Sequence, residues 1–226
     1  MSFKSKKYKK SLEKVPGDKV GVKEAVEILQ GFEKPAFDMT VELVMSLGID
    51  PTQADQALRS SIALPNGIGK TKRVIAFCSD DQVEAAKAAG AIEAGGDEIV
   101  SKVQDGWMDF DVAIAHPSMM KSVSKLGRAL GPSGLMPSPK AGTVTDDIEN
   151  AVKEFAAGKL EYRNDDGGNI HIPVGKISFD SEKIVENVEF FIDHIKKRKP
   201  ATSKGQYIRR VCVSATMTPS VELDVS

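Results

Sequence analysis

The chain has 226 residues, 41% of them hydrophobic, and a net charge of −1 from 31 Lys and Arg against 32 Asp and Glu. That length suits one large or two modest domains of ordinary globular composition. No apolar run is long enough to span a bilayer, and the opening "MSFKSKKYKK" lacks the apolar core of a signal peptide, which points to a cytosolic protein with no membrane partner.

In chain order, "VKEAVEILQGF" sets Val22, Ala25, Val26, Leu29 and Phe32 at helical spacing, and Gly31 suits its end. "FDMTVELVM" alternates, with Phe37, Met39, Val41, Leu43 and Met45 on one face and Asp38, Thr40 and Glu42 on the other. It reads as a half-exposed strand. "LRSSIAL" alternates as well and ends at the turn cluster "PNGIGK".

The texture then changes. "RVIAFCS" and "FDVAIAH" are short, nearly continuous apolar runs, as expected of strands buried on both faces. Between and after them come helical stretches, "DQVEAAKAAGA", "DEIVSKVQDGW", "PSMMKSVSKLGRAL" with Pro117 in its first turn, and "TDDIENAVKEFAAGK" with Thr145 as expected N-cap. Buried strands alternating with helices predict a parallel, Rossmann-like sheet. Past Gly158, alternation returns in "LEYRND" and "NIHIPVGKIS", separated by the turn signal "DGG". A long helix follows, "SEKIVENVEFFIDHIKKRK", with Ile184, Val185, Val188, Phe191, Ile192 and Ile195 on one face. The strand-like "QYIRRVCVSATM" and "SVELDVS" close the chain.

The fold class predicted is mixed, α/β and α+β, in two domains. Residues 1–67 and 160–226 form a discontinuous α+β domain with an antiparallel sheet, and residues 68–159 form the inserted Rossmann-like α/β domain. Gly67, Gly69 and Gly158 are the expected hinge points between them.

Charge is unevenly placed. Lys4, Lys6, Lys7, Lys9, Lys10, Lys14, Lys19 and Lys23 face only Glu13 and Asp18, and the stretch from Lys196 to Arg210 holds seven cations and no acid. A lysine run is often plain solvated surface. Two runs at opposite ends, both on the discontinuous domain, favour an electrostatic partner.

Motifs for catalysis are missing. "NGIGKT" matches the end of a phosphate-binding loop, but Leu64 stands where its first glycine belongs and a strand follows instead of a helix. A connecting turn is the simpler reading. "GPSGL" is only loosely a nucleophile elbow, and His116, His171 and His194 sit in no metal-ligand motif. Cys78 and Cys212 lack ligand spacing and are expected to be buried thiols. The rival to a binding protein is an enzyme using the middle domain as a nucleotide site, at the C-terminal ends of its strands. The absent glycine fingerprint counts against it. "LGPSGLMPSPKAGTV", residues 130–144, is too rich in proline for a flexible linker and reads as a rigid surface loop.

Taken together, "FDMTVELVMSLGID", "LPNGIGKTKRV", "GGDEIVSKVQDGWMDFDVAIAHPSMM", "LGPSGLMPSPKAGTVT" and "YIRRVCVSATMTPSVELDVS" closely resemble, in order and spacing, the bacterial large-subunit ribosomal proteins of the "L-one" family, the proteins of the mobile stalk. The likeness covers almost the whole chain. It implies a non-enzymatic, cytoplasmic ribosomal protein without cofactor or metal. Such a protein binds the stalk region of large-subunit ribosomal RNA near the transfer RNA exit site and aids release of deacylated transfer RNA. The resemblance also implies repression of translation by binding the protein's own messenger RNA, and a monomer when free of the ribosome.

The resemblance further implies an RNA site from Phe37, Asp38, Thr40 and Glu42 with Ser214, Thr216, Met217 and Thr218. Lys6, Lys7, Lys9 and Lys10 supply general attraction, and Lys140 is a further contact from the loop. The residue types suit folded RNA, which is read through 2′-hydroxyls and phosphates. For Phe37 and Met217, alternation alone favours simple core packing. The chain departs from the family pattern at Ala36, where a lysine is usual, and at Thr218 and Ser220, where glycines are. Ser133 and Ser138 replace an arginine and an asparagine. A Cβ at Thr218 works against close approach of the backbone to RNA.

Overall fold

The computed structural model describes residues 5–53 and 55–225. Lys4 of the first basic run and Ser226 of the last expected strand lie outside the described residues. The chain forms two compact units, one of Met1–Leu58, Leu64–Gly69 and Tyr162–Ser226, the other of Arg59–Ala63 and Lys70–Glu161. Among the described residues, no helix is long and apolar enough to cross a membrane.

The first unit opens with α1 (Lys6–Glu13), capped by Ser5, and α2 (Val22–Gln30). Its core element is β1 (Thr40–Leu47), whose alternate residues Val41, Leu43, Met45 and Leu47 are buried. β1 is one of two inner strands of a four-stranded antiparallel sheet, completed by β7 (Asn169–Lys176), β8 (Ile208–Ala215) and β9 (Val221–Glu222) in the order β7-β1-β8-β9. Helices α2 and α8 (Ser181–Lys197) pack on each other and on the sheet. Their buried residues, such as Leu29, Ile184, Val188, Phe191 and Ile195, close the core, so the opposite face of the sheet stays open.

Helical spacing predicts Val185 on the buried face of α8, but the fully buried residue there is Asn187. Its amide donates to the carbonyls of Gly67 (3.0 Å) and Val174 (2.7 Å), and its Oδ1 accepts from the Asn66 amide (3.1 Å). A buried polar side chain is tolerated only with its partners in place. Here the partners include the backbone of the turn by which the chain leaves the unit.

The second unit is built on β3 (Val74–Phe77), β4 (Glu93–Gly95) and β5 (Val112–Ala115), a parallel sheet in the order β4-β3-β5. β3 and β5 are buried at every position. Val74, Ala76, Val112 and Ile114 pack with α3 (Asp80–Ala88) and α7 (Ile148–Ala156), while Ile75, Phe77, Ala113 and Ala115 pack with α4 (Asp97–Gln104), α5 (Met120–Val123) and α6 (Gly127–Leu130). The expected single helix over 117–130 is broken into α5, α6 and 3₁₀ turns at Pro117–Met119 and Ser124–Leu126. β4 is three residues with one glycine, too short to show alternation.

In the proline-rich loop, Leu135 and Met136 pack on the second core, and Thr143 Oγ1 accepts from the Ser138 amide at 2.8 Å. The N-cap of α7 is Asp147, which accepts from the Asn150 amide; Thr145 instead accepts from the Asp147 amide. Cys78 is buried, but Cys212 is only half-buried.

The boundaries differ from the expected ones. "LRSSIAL" forms β2 (Arg59–Ile62), which pairs only with β6 (Leu160–Arg163), and Arg59–Ala63 group with the second unit. The reason is local packing. The 3₁₀ turn Pro139–Ala141 lies against β2, and Arg59 Nε pairs with Glu161 at 2.7 Å. "LEYRND" and "NIHIPVGKIS" consequently join different sheets, linked by an Asn164–Ile170 bridge and by hydrogen bonds from Asn169 to Asp165.

Two outcomes are expected. Replacing Asn187 with Leu leaves three backbone groups without their partner and should lower unfolding free energy by about 2–3 kcal/mol, measured by urea denaturation. His194 accounts for the second. Burial, with Arg198 and Lys197 nearby, holds its imidazole below the usual value, and its Nε2 lies 3.0 Å from the Tyr162 hydroxyl. The folded state favours the neutral ring, so this stabilisation is present above about pH 6.5 and is lost as pH falls through the depressed folded value. Melting temperature should therefore decline as pH falls below about 6.5, and His194→Gln should flatten that decline.

Candidate nucleic-acid interface

The site grows from pairing on both edges of β1. Thr40 lies opposite Lys176 of β7, and Glu42 lies opposite Ser214 of β8. Beyond the end of β8, Thr216 continues the pairing as a brace. The Thr40 amide donates to Thr216 Oγ1 (3.2 Å), and the Thr216 amide and hydroxyl both donate to the Thr40 carbonyl (3.1 and 3.3 Å). Residues 176 apart in sequence are thereby fixed side by side.

Thr40 Oγ1 accepts from Lys176 Nζ at 2.9 Å. Just before β1, Asp38 accepts from the amide (3.3 Å) and hydroxyl (2.8 Å) of Ser178. The surface thus assembled carries hydroxyls, one ammonium and the exposed carboxylates of Asp38 and Glu42. Such a set can donate to phosphate and exchange hydrogen bonds with 2′-hydroxyls.

Phe37 and Met217 overturn the core-packing alternative. Phe37 is 49% exposed and Met217 77% exposed. Phe37 precedes the start of β1, so the alternation that buries Met39 does not extend to it. Met217 stands in the turn after β8 with φ of 70°, a left-handed conformation uncommon for a non-glycine residue. A large apolar side chain held out into water on each of two adjoining segments is a feature that stability does not explain.

Thr218 turns inward. Its Oγ1 accepts from the Ala215 amide at 3.0 Å and lies 3.0 Å from the Ala215 carbonyl and 3.2 Å from that of Pro219. The side chain fastens the turn whose outer corner is Met217. Lys6, Lys7, Lys9 and Lys10 are exposed along α1, with Lys10 3.7 Å from Glu33. Lys140 is exposed too, but it belongs to the second unit, in the 3₁₀ turn at Pro139–Ala141.

Gly67 and Gly69, with φ of 62° and 71°, stand where the chain leaves the first unit, and Gly158, φ 113°, follows α7. The first two are anchored. Asn187 holds Gly67, and a Cβ on Gly69 would fall 2.9 Å from the Phe179 ring. Lys70, the lysine of the loop-like "GIGKT", pairs with Asp111 at 3.5 Å.

Lys176 was missed by sequence reasoning. β7 carries a bulge where Val41 pairs with Gly175 and Glu42 with Pro173. The extra residue moves Lys176 from the parity of buried Ile170, Ile172 and Val174 to the open face. Basic character within "PVGKIS" was the only available signal.

Across residues 29–219 the sequence matches the Ribosomal protein L1p/L10e family. The chain belongs to this family. It is 48% identical over 225 residues to the large ribosomal subunit protein uL1 of Kosmotoga olearia, covering 99% of this chain and 97% of that protein. It is 50% identical over 220 residues to the protein of the same name from Lactobacillus acidophilus, covering 97% and 96%. These relatives are ribosomal proteins, not enzymes, which removes the nucleotide-enzyme alternative.

The Thr216 hydroxyl serves the Thr40 backbone directly. Thr216→Val should lower unfolding free energy by about 1 kcal/mol, because two exposed backbone groups can still be hydrated. Thr40→Val, which gives up only the bond to Lys176, should cost less. Paired urea titrations of the two variants check the order.

Proposed function

We propose that the open face around Thr40, Glu42, Ser214 and Thr216, flanked by Phe37 and Met217, holds large-subunit ribosomal RNA on the ribosome. The observation that carries this is the pair of exposed apolar side chains beside a braced set of hydroxyls. Phe37 can stack on a base or sugar and Met217 can pack on one. Glu42 can accept from a 2′-hydroxyl, which distinguishes RNA from a plain polyanion. The lysines of α1 add long-range attraction; the exposed Lys10–Glu33 pair is easily exchanged for a phosphate contact. Membership of a ribosomal protein family supports the same partner.

In the fuller reading, residues 1–67 and 160–226 act as the RNA-binding domain and 68–159 as a Rossmann-like insertion, with Gly67, Gly69 and Gly158 as the turning points of the connection. The protein is a monomer off the ribosome, helps deacylated transfer RNA leave the exit site, and represses its own messenger RNA by the same face. The resemblance to the stalk proteins supports these roles.

The test is a titration of the full chain against a transcript of the ribosomal stalk RNA and a control duplex of equal length. Phe37→Ala and Met217→Ala should each lower affinity for the stalk transcript by roughly tenfold, while control binding and melting temperature stay unchanged. Equal losses on both RNAs would reject the assignment. Replacing Lys6, Lys7, Lys9 and Lys10 with Gln should weaken both RNAs alike. It should also make the plot of log affinity against log salt shallower, by roughly 0.7–0.9 for each phosphate neutralised by the wild type and not by the variant.

A further inference from the structure

Lys176 lies opposite Thr40 on this face, and its surroundings are unusual. Among the described residues it pairs with no carboxylate, and its Nζ donates to the Thr40 hydroxyl at 2.9 Å. Thr40 Oγ1, accepting from a cation, is made a stronger donor through its own proton. The two groups together therefore offer donors and no acceptor of comparable strength, which is the chemistry of a phosphate contact.

Beside the lysine, two glycines leave room for one aromatic ring. The Phe179 ring lies close to Gly175, which sits between the bulge at Val174 and Lys176, and to Gly69, the last residue of the unit before the chain crosses to Lys70. A Cβ on Gly175 would stand 3.2 Å from Phe179 Cδ2. A Cβ on Gly69 would stand 2.9 Å from Phe179 Cε1, 3.0 Å from Cζ and 3.2 Å from Lys176 Cγ. A side chain at Gly69 would thus press on both the ring and the stem of the lysine. Gly67 has the same left-handed conformation, yet a Cβ there meets nothing within 4 Å.

We infer that Lys176 is a phosphate-contacting residue of the RNA face and that Gly69 is its positioning residue, acting through the Phe179 ring and the lysine stem. The inference rests on the proposed RNA face. It has a reciprocal consequence: if the crossing segment sets Lys176, RNA held by Lys176 restricts the crossing segment.

The experiment uses the full chain and the stalk transcript, with melting temperature recorded for each variant. Lys176→Met should lower affinity about tenfold and make the salt dependence shallower by about 0.7–0.9. Gly69→Ala should reproduce both effects, whereas Gly67→Ala, with the same backbone penalty but an open site, should leave both unchanged. Gly69→Ala should add no further loss to Lys176→Met, and Phe179→Leu, which removes the clashing ring atoms, should restore binding in the Gly69→Ala background. In the wild type, the transcript should slow amide exchange of Gly69 and Lys70.

A wild type that prefers the stalk transcript, with Lys176→Met and Gly69→Ala both unaffected, overturns this inference alone. So does equal damage from Gly67→Ala and Gly69→Ala, which would reduce the effect to stability. A wild type with no preference for the transcript removes the RNA face itself, and the inference with it.

Discussion

Everything at the candidate site depends on β1 being hydrogen-bonded along both edges. A strand with one partner has one register to satisfy; β1 has two, with β7 and β8. Its buried residues lock both registers, because a slip of one position would turn Val41, Leu43 and Met45 into water. The outward side chains are then placed by the same constraint. Thr40 meets Lys176 on one side and the Thr216 segment on the other without needing any affinity of their own. The hydrophobic core thus supplies the precision, and the polar groups on the open face supply the chemistry.

Two departures from regularity convert that sheet into a surface with a purpose. The bulge in β7 re-aims a lysine that strict alternation would have driven into the core. The turn after β8 holds Met217 in a left-handed conformation, with Thr218 fastening its base. Both lie at the same end of β1. Asn187 and the Phe179 ring tie this end to the turn by which the chain leaves the unit. The buried amide costs desolvation that three hydrogen bonds offset, so the turn is held by the core and not left to the solvent.

Much of this was legible in the sequence, for identifiable reasons. The alternation from Met39 to Leu47 and the helical spacing in α8 reflect one buried face each, and the unbroken apolar runs of β3 and β5 reflect two. Where a residue escaped, a local geometry had overridden the period. Phe37 continues the alternating pattern on paper but lies beyond the strand. Lys176 sits past a bulge that no pattern announces. Asn187 occupies a core position because its partners are backbone groups brought from far along the chain, which a single segment cannot reveal. β2 alternates correctly, yet its partners had to be seen. The site residues came from resemblance to a family and not from periodicity, since hydroxyls and exposed carboxylates carry no period.

The brace between Thr40 and Thr216 also has a consequence for the order of events during synthesis. The second unit takes its sheet and helices from the contiguous stretch 70–161, so its contacts are local and can form early. The first unit cannot close its sheet until β8, Ile208–Ala215, emerges after the whole of the 70–161 stretch. A nascent chain is therefore half folded before it has a complete β1 environment, and every fragment ending before residue 216 lacks the brace. The proposed RNA face forms only after residue 216 has emerged. Unfinished chains emerging beside ribosomal RNA would carry α1 and its lysines but no formed site with which to capture it.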